Sequence, residues 1–140
     1  MQLTPVPPVH KQIGVAVITD RQGRILIDRR KNEGEMAGLW EFPGGKIEPG
    51  ETVRECVKRE IKEELDIEIV VGDRLTTITY AYKTFNVTLY VHECQHVGGE
   101  PRPLECQEIH WVEPANMNQY KFPQANTQII NLLQQRGTSK

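Results

Sequence analysis

A chain of 140 residues, 26% of them charged and 38% hydrophobic, has the size and composition of one ordinary globular domain. Its net charge of −2 gives no sign of a basic face, so a nucleic-acid polymer is not an expected partner. The apolar runs are too short to cross a bilayer, and the three cysteines form no CxxC pair, which favours a reducing cytoplasm and no membrane partner. We expect a flexible arm over residues 1–10 and a single domain over residues 11–140.

The first predicted elements are two strands and a short extended segment. Residues 13–18 are apolar and predict a buried strand, and residues 24–27 predict the strand that returns after a turn. Residues 31–38 are polar and contain two glycines, which favours a loop. Residues 39–42 predict a short extended piece.

A helix is predicted to begin at Thr52, because Glu55 three residues later completes a capping box, and to run to about Leu65. Further strands are predicted over residues 67–71, 76–82, 85–93 and 109–112. The last helix is predicted to open at Phe122-Pro123. Strands outnumber helices and one helix interrupts them, which predicts an α/β (α+β) fold with a mixed sheet flanked by helices.

The predicted helix carries three glutamates that break its amphipathic pattern. Its apolar stripe consists of Val53, Val57, Ile61 and Leu65. Glu60 and Glu64 project into the middle of this stripe, and Glu63 lies at its border. If these acids formed a solvated charged face, they would lie on the side of the helix opposite the apolar stripe. Burying an unpaired carboxylate is costly. The pattern therefore favours a cation site, and carboxylates that converge on one point suit Mg²⁺.

The segment 45–67 resembles the Nudix box. That motif is Gly, five residues, Glu, seven residues, then Arg-Glu-apolar-any-Glu-Glu-any-Gly-apolar. Gly45 and Glu51 match its start, and Arg59-Glu60-Ile61-Lys62-Glu63-Glu64 matches its centre. Asp66 stands where the motif has its last glycine. Aspartate tolerates the left-handed turn that ends a helix better than most residues, so this difference removes no metal ligand.

Within this family the chain is similar to the MutT type, whose members hydrolyse oxidised purine nucleotides such as 8-oxo-dGTP. The similarity includes residues 41–46, Glu105 and residues 122–126, the last resembling Phe-Pro-x-Ala-Asn. It implies a Nudix-type α/β/α sandwich with a central mixed β-sheet. It also implies Mg²⁺-dependent cleavage, with Mn²⁺ as an alternative ion, of a nucleoside triphosphate to a monophosphate and pyrophosphate.

The resemblance further implies roles for individual residues. The implied metal ligands are the backbone carbonyl of Gly44 and the side chains of Glu60, Glu63, Glu64 and Glu105. The implied catalytic residues are Glu60, Glu63, Glu105 and Arg59, and the substrate-binding residues are Arg30, Phe42, Gly45, Lys46 and Asn126. Either Glu60 or Glu105 would be the general base, and the nearby Glu108 is an alternative to Glu105.

Several of these residues have a plainer interpretation. Arg59 is expected to orient a carboxylate such as Glu51, against the alternative of a surface arginine. Asn126 offers a donor and an acceptor to a purine edge, but asparagine is also a common helix N-cap. Trp40 and Phe122, like Phe42, either line the base pocket or pack in the core.

Two other functions compete with hydrolysis of 8-oxo-dGTP. The first is the same reaction on CTP or another nucleotide, against which Asn126 argues. The second is a non-catalytic module that senses oxidised guanine, like the C-terminal domain of adenine DNA glycosylases. Such modules need not keep the metal carboxylates that this chain keeps. The expected partner is a nucleoside triphosphate, and the expected state is a monomer.

Overall fold

Seven strands and two α-helices make up residues 9–138, the part of the chain that the computed structural model describes. The strands are β1 (Val9–Thr19), β2 (Ile25–Arg29), β3 (Trp40–Glu41), β4 (Gly44–Lys46), β5 (Glu68–Ala81), β6 (Phe85–Gly98) and β7 (Glu108–Val112). The helices are α1 (Val53–Leu65) and α2 (Thr127–Thr138), and the 3-10 helices Pro114–Gln119 and Gln124–Asn126 precede α2. Within residues 9–138, no helix is long and apolar enough to cross a membrane.

The strands form one mixed sheet in the order β3-β2-β1-β6-β5, with β4 also paired to β1 and β7 to β2. Strands β1 and β6 are parallel along the whole of β1, and the other pairs are antiparallel. Strands β1 and β2 meet at Thr19 and Ile25, but β3 pairs with β2 whereas β4 pairs with β1. The segment from β3 to β4 therefore passes from one strand to the other and sets Gly44 beside Val15, in the middle of β1.

Each face of the sheet is covered by one α-helix. Because successive side chains of β1 point to opposite faces, β1 contributes to the core under each helix. Val15 and Val17 lie in a core with Ile129 and Leu133 of α2. The other core contains Ala16 and Ile18 of β1 together with Val57, Ile61 and Leu65 of α1. The expected α/β/α sandwich with a central mixed sheet is confirmed.

Several boundaries of strands and helices differ from those predicted from the sequence. Residues 1–8 of the expected arm lie outside the described residues, but Val9 and His10 already belong to β1. The strands expected at 67–71 and 76–82 are one strand, β5, because bulges keep it paired to β6 across Gly72 and Asp73. Helix α2 begins at Thr127 rather than at Phe122, since the chain first makes a 3-10 turn.

Candidate active site

Helix α1 begins and ends where its sequence predicts. The Thr52 hydroxyl accepts from the backbone N–H of Glu55, and the Glu55 carboxylate accepts from that of Thr52, at 3.1 and 2.8 Å. At the other end Asp66 adopts a left-handed conformation, with φ 56° and ψ 40°, and its N–H donates to the carbonyl of Lys62. Aspartate therefore takes the conformation for which the Nudix box uses glycine.

The three glutamates in the second half of α1 differ in exposure as the helical wheel predicts. The side chain of Glu60 is 16% exposed, whereas that of Glu63 is 50% exposed. Glu64 is half-buried, and its Oε2 is shielded from solvent without a hydrogen-bond partner among residues 9–138. Burial, followed by the nearby charge of Glu41, raises the pKa of Glu64 to about 9. An oxygen atom in this state is suited to bind a cation, which would satisfy it and neutralise the charge.

Arg59 donates hydrogen bonds to three carboxylates at once. Its Nε and Nη2 donate to the two oxygens of Glu51 at 2.7 and 2.9 Å, which is the expected contact between these residues. Its Nη1 donates to Glu60 at 2.9 Å and to Glu63 at 3.2 Å. The bond from Arg59 is the main cause that lowers the pKa of Glu51 to about 2. Arg59 thus holds the acidic face of α1 against the segment that follows β4.

Two glycines allow β4 to approach both β1 and α1. A Cβ at Gly44 would overlap the backbone carbonyl of Gly14, and a Cβ at Gly45 would overlap the carboxylate of Glu60. Any other residue at position 45 would therefore move the Glu60 carboxylate. The two glycines have different functions, since one permits strand pairing and the other leaves space for a site residue.

An acidic cleft lies beside Glu64. It is lined by Asp28, Arg30, Lys31, Glu33, Glu41, Glu64, Glu105 and Cys106. Arg30 donates to Glu41 through Nη1 at 2.9 Å. Asp28 is 3% exposed, and burial followed by the charge of Glu41 raises its pKa. The sequence predicted no role for Asp28 or Glu41; the only signal for Asp28 was a carboxylate directly after three apolar residues of β2.

The structure separates the two candidate loop acids. Glu105 lines the acidic cleft with Glu64, whereas Glu108 lines neither this cleft nor the cavity described below. The carboxylate of Glu108 instead lies 3.3 Å from Nε2 of His110. Of the two, only Glu105 is placed to reach the carboxylates of α1.

An adjoining cavity of about 440 Å³ reaches from Glu60 and Glu64 to Asn126. Its apolar wall includes Ile13, Val15, Phe42, Val87 and Leu89. Arg30, Gly44, Gly45 and Lys46 also line it. The cavity thus joins an apolar chamber to the carboxylates of α1, and all five expected substrate-binding residues lie around it.

Asn126 lies in the wall of this cavity and is 8% exposed. Its side-chain amide makes no hydrogen bond within residues 9–138, so it is not used as a cap there. The neighbouring N–H of Ala125 donates to the hydroxyl of Tyr82 at 2.8 Å, which ties this turn to the cavity wall. Tyr82 is a lining residue that sequence reasoning did not identify.

The three candidate aromatic residues have different surroundings. Phe42 lines the cavity and stacks on Phe122, with ring centroids 5.2 Å apart and planes at 29°. Trp40 does not line the cavity and packs against His110 and Tyr120, each at 4.9 Å. Only Phe42 is therefore placed to contact a ligand directly.

Within residues 9–138, no three acidic, histidine or cysteine side chains are close enough to hold a metal ion by themselves. Glu60 and Glu63 are turned towards Arg59, which competes with a cation for their oxygens. An ion at Glu64 would therefore draw further oxygens from backbone, water or substrate phosphate, as Mg²⁺ commonly does.

Comparison with known proteins identifies the family. Residues 14–132 match the family model described as the NUDIX domain. The 8-oxo-dGTP diphosphatase of Escherichia coli (strain K12) is 35% identical over 119 residues, which cover 85% of this chain and 92% of that protein. The CTP pyrophosphohydrolase of the same organism is 34% identical over 116 residues, which cover 83% and 86%.

A solved structure agrees with the fold. The crystal structure of a MutT protein from Methanosarcina mazei Go1 has a TM-score of 0.85 to this chain, with 24% identity over 96% of this chain and 100% of that one. Nudix hydrolases generally use divalent metal ions, and the shielded Oε2 of Glu64 is compatible with that chemistry. The chain belongs to the Nudix family and is a hydrolase that acts on phosphorus anhydrides.

Proposed function

We propose that this Nudix hydrolase is a Mg²⁺-dependent nucleoside triphosphate pyrophosphohydrolase that converts 8-oxo-dGTP to 8-oxo-dGMP and pyrophosphate. The observation that carries the proposal is the cavity in which Asn126 and the carboxylates of Glu60 and Glu64 face the same space. One ligand can fill it with a base at one end and phosphates at the other. The products fit a role in removing oxidised nucleotides from the cytoplasmic pool.

The phosphate end is assigned to charged residues of α1 and its neighbours. Glu60, Glu63, Glu64, Glu105 and the carbonyl of Gly44 would hold the metal, for which Mn²⁺ is an alternative to Mg²⁺. Glu60 and Glu63 would then exchange hydrogen bonds to Arg59 for bonds to the ion. The bound metal supplies charge neutralisation at the phosphate oxygens. The other steps belong to the chain itself, beginning with a carboxylate that takes the proton of the attacking water.

Glu60 and Glu105 are the two candidates for that base. Burial raises the pKa of Glu60 above its ordinary value, which favours proton acceptance, although the bond from Arg59 opposes this effect. Glu105 is exposed and free of the Arg59 network, so it can approach a water from the other side of the cleft. Arg59 would orient Glu60, and Arg30 and the exposed Lys46, which both line the cavity, would meet phosphate oxygens.

The base end is assigned to Phe42, Asn126 and the apolar wall. A flat purine suits the face of Phe42, whose ring is backed by Phe122. The uncommitted amide of Asn126 can donate and accept on the base edge. This amide has no hydrogen-bond partner within residues 9–138, so a base that pairs with it gains specificity without breaking an existing contact.

CTP is a second candidate substrate, because one of the relatives is named for its hydrolysis. A smaller pyrimidine would leave part of the base chamber unfilled. The non-catalytic alternative, a sensor of oxidised guanine in DNA, gains no support from the relatives named above, which are named as enzymes. A sensor would also have no use for the unpartnered carboxylate oxygen of Glu64.

The deciding experiment measures pyrophosphate release from 8-oxo-dGTP, dGTP and CTP with Mg²⁺, with Mn²⁺ and with chelator. We expect metal-dependent release with the highest kcat/KM for 8-oxo-dGTP. Preference for CTP would overturn the substrate assignment. Failure to turn over any nucleotide would reject the proposed reaction, and binding of a DNA duplex with 8-oxoguanine would then favour the sensor.

A further inference from the structure

Asp66 occupies the position at which the Nudix box has glycine, and its side chain forms contacts that glycine cannot form. Its carboxylate lies 3.1 Å from Nζ of Lys62 and accepts a hydrogen bond from Nη2 of Arg102 at 2.8 Å. Lys62 belongs to the same helix, but Arg102 lies in the loop between β6 and β7. The replacement of glycine thus adds a connection from the end of α1 to this loop.

Two backbone hydrogen bonds lie beside that connection. The N–H of Arg102 donates to the carbonyl of Leu65 at 3.0 Å, and the N–H of Leu104 donates to the carbonyl of Glu64 at 3.1 Å. These carbonyls belong to the last turn of α1, where the helix itself supplies no donor. The loop therefore satisfies the end of the helix, and one of its contacts is to the backbone of Glu64 itself.

The residue that follows Leu104 is Glu105, which lines the acidic cleft with Glu64. On its other side, the N–H of Gln107 donates to the carbonyl of Arg29 at 2.9 Å. Glu105 thus lies between two points at which the loop is fixed, one on α1 and one on β2. Glu64 belongs to α1, so the position of Glu105 relative to Glu64 depends on how the loop is attached to α1.

We infer that Asp66 is a positioning residue, which through Arg102 holds the loop so that Glu105 meets Glu64 across the cleft. The inference rests on the proposed function, in which both glutamates serve the metal and the attacking water. The Asp66–Arg102 pair is substantially exposed, so it adds little to global stability. The pair instead affects the reaction rate, because it sets the position of Glu105 and small displacements of a catalytic group reduce the rate strongly.

Asp66→Gly is the informative variant, because glycine suits the left-handed backbone and removes only the carboxylate. We expect an unchanged or higher Tm, a kcat lower by roughly threefold to tenfold, and a KM close to the original. Arg102→Ala should give the same loss, and the double variant should lose no more than either single one. Lys62→Gln is the matched control, because it removes the other partner of Asp66 without touching the loop, and its kcat should stay at the wild-type value.

Combination with Glu105→Gln tests whether Asp66 acts through Glu105. In that background Asp66→Gly should have no further effect on kcat, whereas a purely structural contribution would reduce it again. Wild-type kcat in Asp66→Gly, or full additivity with Glu105→Gln, would overturn the inference.

Hydrogen exchange provides a measurement that does not depend on turnover. In Asp66→Gly, the amides of Arg102 and Leu104 should exchange faster than in the wild type, while those of β1 should not change. Unchanged exchange at these two amides would reject the anchoring role. Failure of wild-type turnover would reject the proposed function instead, so the two failures are distinguishable.

Discussion

The backbone of Gly45 lies directly against the carboxylate of Glu60, with no space for a Cβ between them. The same carboxylate accepts a hydrogen bond from Arg59 and faces the cavity that contains Asn126. Glu60 is therefore confined between a strand and an arginine, and its orientation depends on the absence of a side chain at position 45. Three residues of the Nudix box, Gly45, Arg59 and Glu60, thus define one geometry.

The substitution Gly45→Ala should displace the Glu60 carboxylate while the fold survives, because the obstructed group is the end of a flexible side chain. We expect kcat to fall about 10-fold or more, with a small change in Tm, measured by pyrophosphate release and thermal denaturation. Gly98→Ala is the matched control, since its Cβ would meet only ordinary contacts of 3.7 Å or more. Gly44→Ala should instead lower Tm, because its Cβ would overlap the backbone of Gly14. Wild-type kcat in Gly45→Ala would show that the position of Glu60 is unimportant.

The substitution Glu64→Gln should abolish turnover, with a loss of roughly 100-fold or more, because the neutral amide cannot bind the metal as the carboxylate does. The metal-free variant should be at least as stable as the wild type, since a neutral amide avoids the cost of shielding an ionisable group from water at this position. Steady-state kinetics and circular dichroism measure the two effects. Glu55→Gln lies on the same helix, retains the capping box and should remain active. An active Glu64→Gln enzyme would exclude Glu64 from the metal site.

The stability of the metal-free protein should depend on pH through Glu64. Its pKa is raised to about 9 in the folded state from 4.5, so the folded state holds an extra proton between these values. The corresponding stability is fully present below about pH 4.5 and is lost as the pH rises through about 9. Thermal denaturation in chelator should therefore show Tm falling towards alkaline pH more steeply in the wild type than in Glu64→Gln. Mg²⁺ should restore Tm at high pH in the wild type alone; parallel curves for the two proteins would contradict the assignment.

The substitution Arg59→Lys should reduce activity although it keeps the positive charge. A single ammonium group cannot bind both oxygens of Glu51 while it holds Glu60 and Glu63. We expect kcat to fall by roughly 10-fold to 100-fold, and the pKa of Glu51 to rise from about 2, as NMR titration would show. Lys58→Ala is the control, because this exposed residue lies beside Arg59 in the sequence. Full activity in Arg59→Lys would show that a positive charge at position 59 is sufficient and that the guanidinium geometry is not required.

The substitution Asn126→Ala should reduce the preference for 8-oxo-dGTP over dGTP by about 10-fold, because it removes the amide proposed to read the base. The ratio of the two kcat/KM values measures this effect directly. Gln124→Ala changes an exposed residue of the same turn and should leave the ratio unchanged. An unchanged ratio in Asn126→Ala would show that the preference arises elsewhere in the pocket.

Local features were predictable from the sequence, and contacts between distant segments were not. The bounds of α1 follow from Thr52, Glu55 and the apolar spacing, all of which act within a few residues. The contact of Arg59 with Glu51 also follows from one motif. The choice between Glu105 and Glu108 does not, since it depends on how a loop attaches to the end of α1.

The aromatic residues and β5 illustrate the same limit. Trp40 and Phe42 are two residues apart in one extended segment, yet only Phe42 reaches the cavity, because Tyr120 and His110 pack against Trp40. Gly72 and Asp73 have the composition of a turn, but pairing with β6 carries β5 through them as a bulge. In both cases tertiary packing overrides the local preference.

The two cores on opposite faces of the sheet divide the site between them. The apolar wall of the cavity belongs to the core that packs against α2, whereas Glu60 and Glu64 lie on α1, which packs against the other core. The residues proposed to accept the base can therefore be repacked on one face of the sheet without a change in α1. Relatives of similar identity that carry names for a purine and for a pyrimidine nucleotide are the outcome expected of such independent parts.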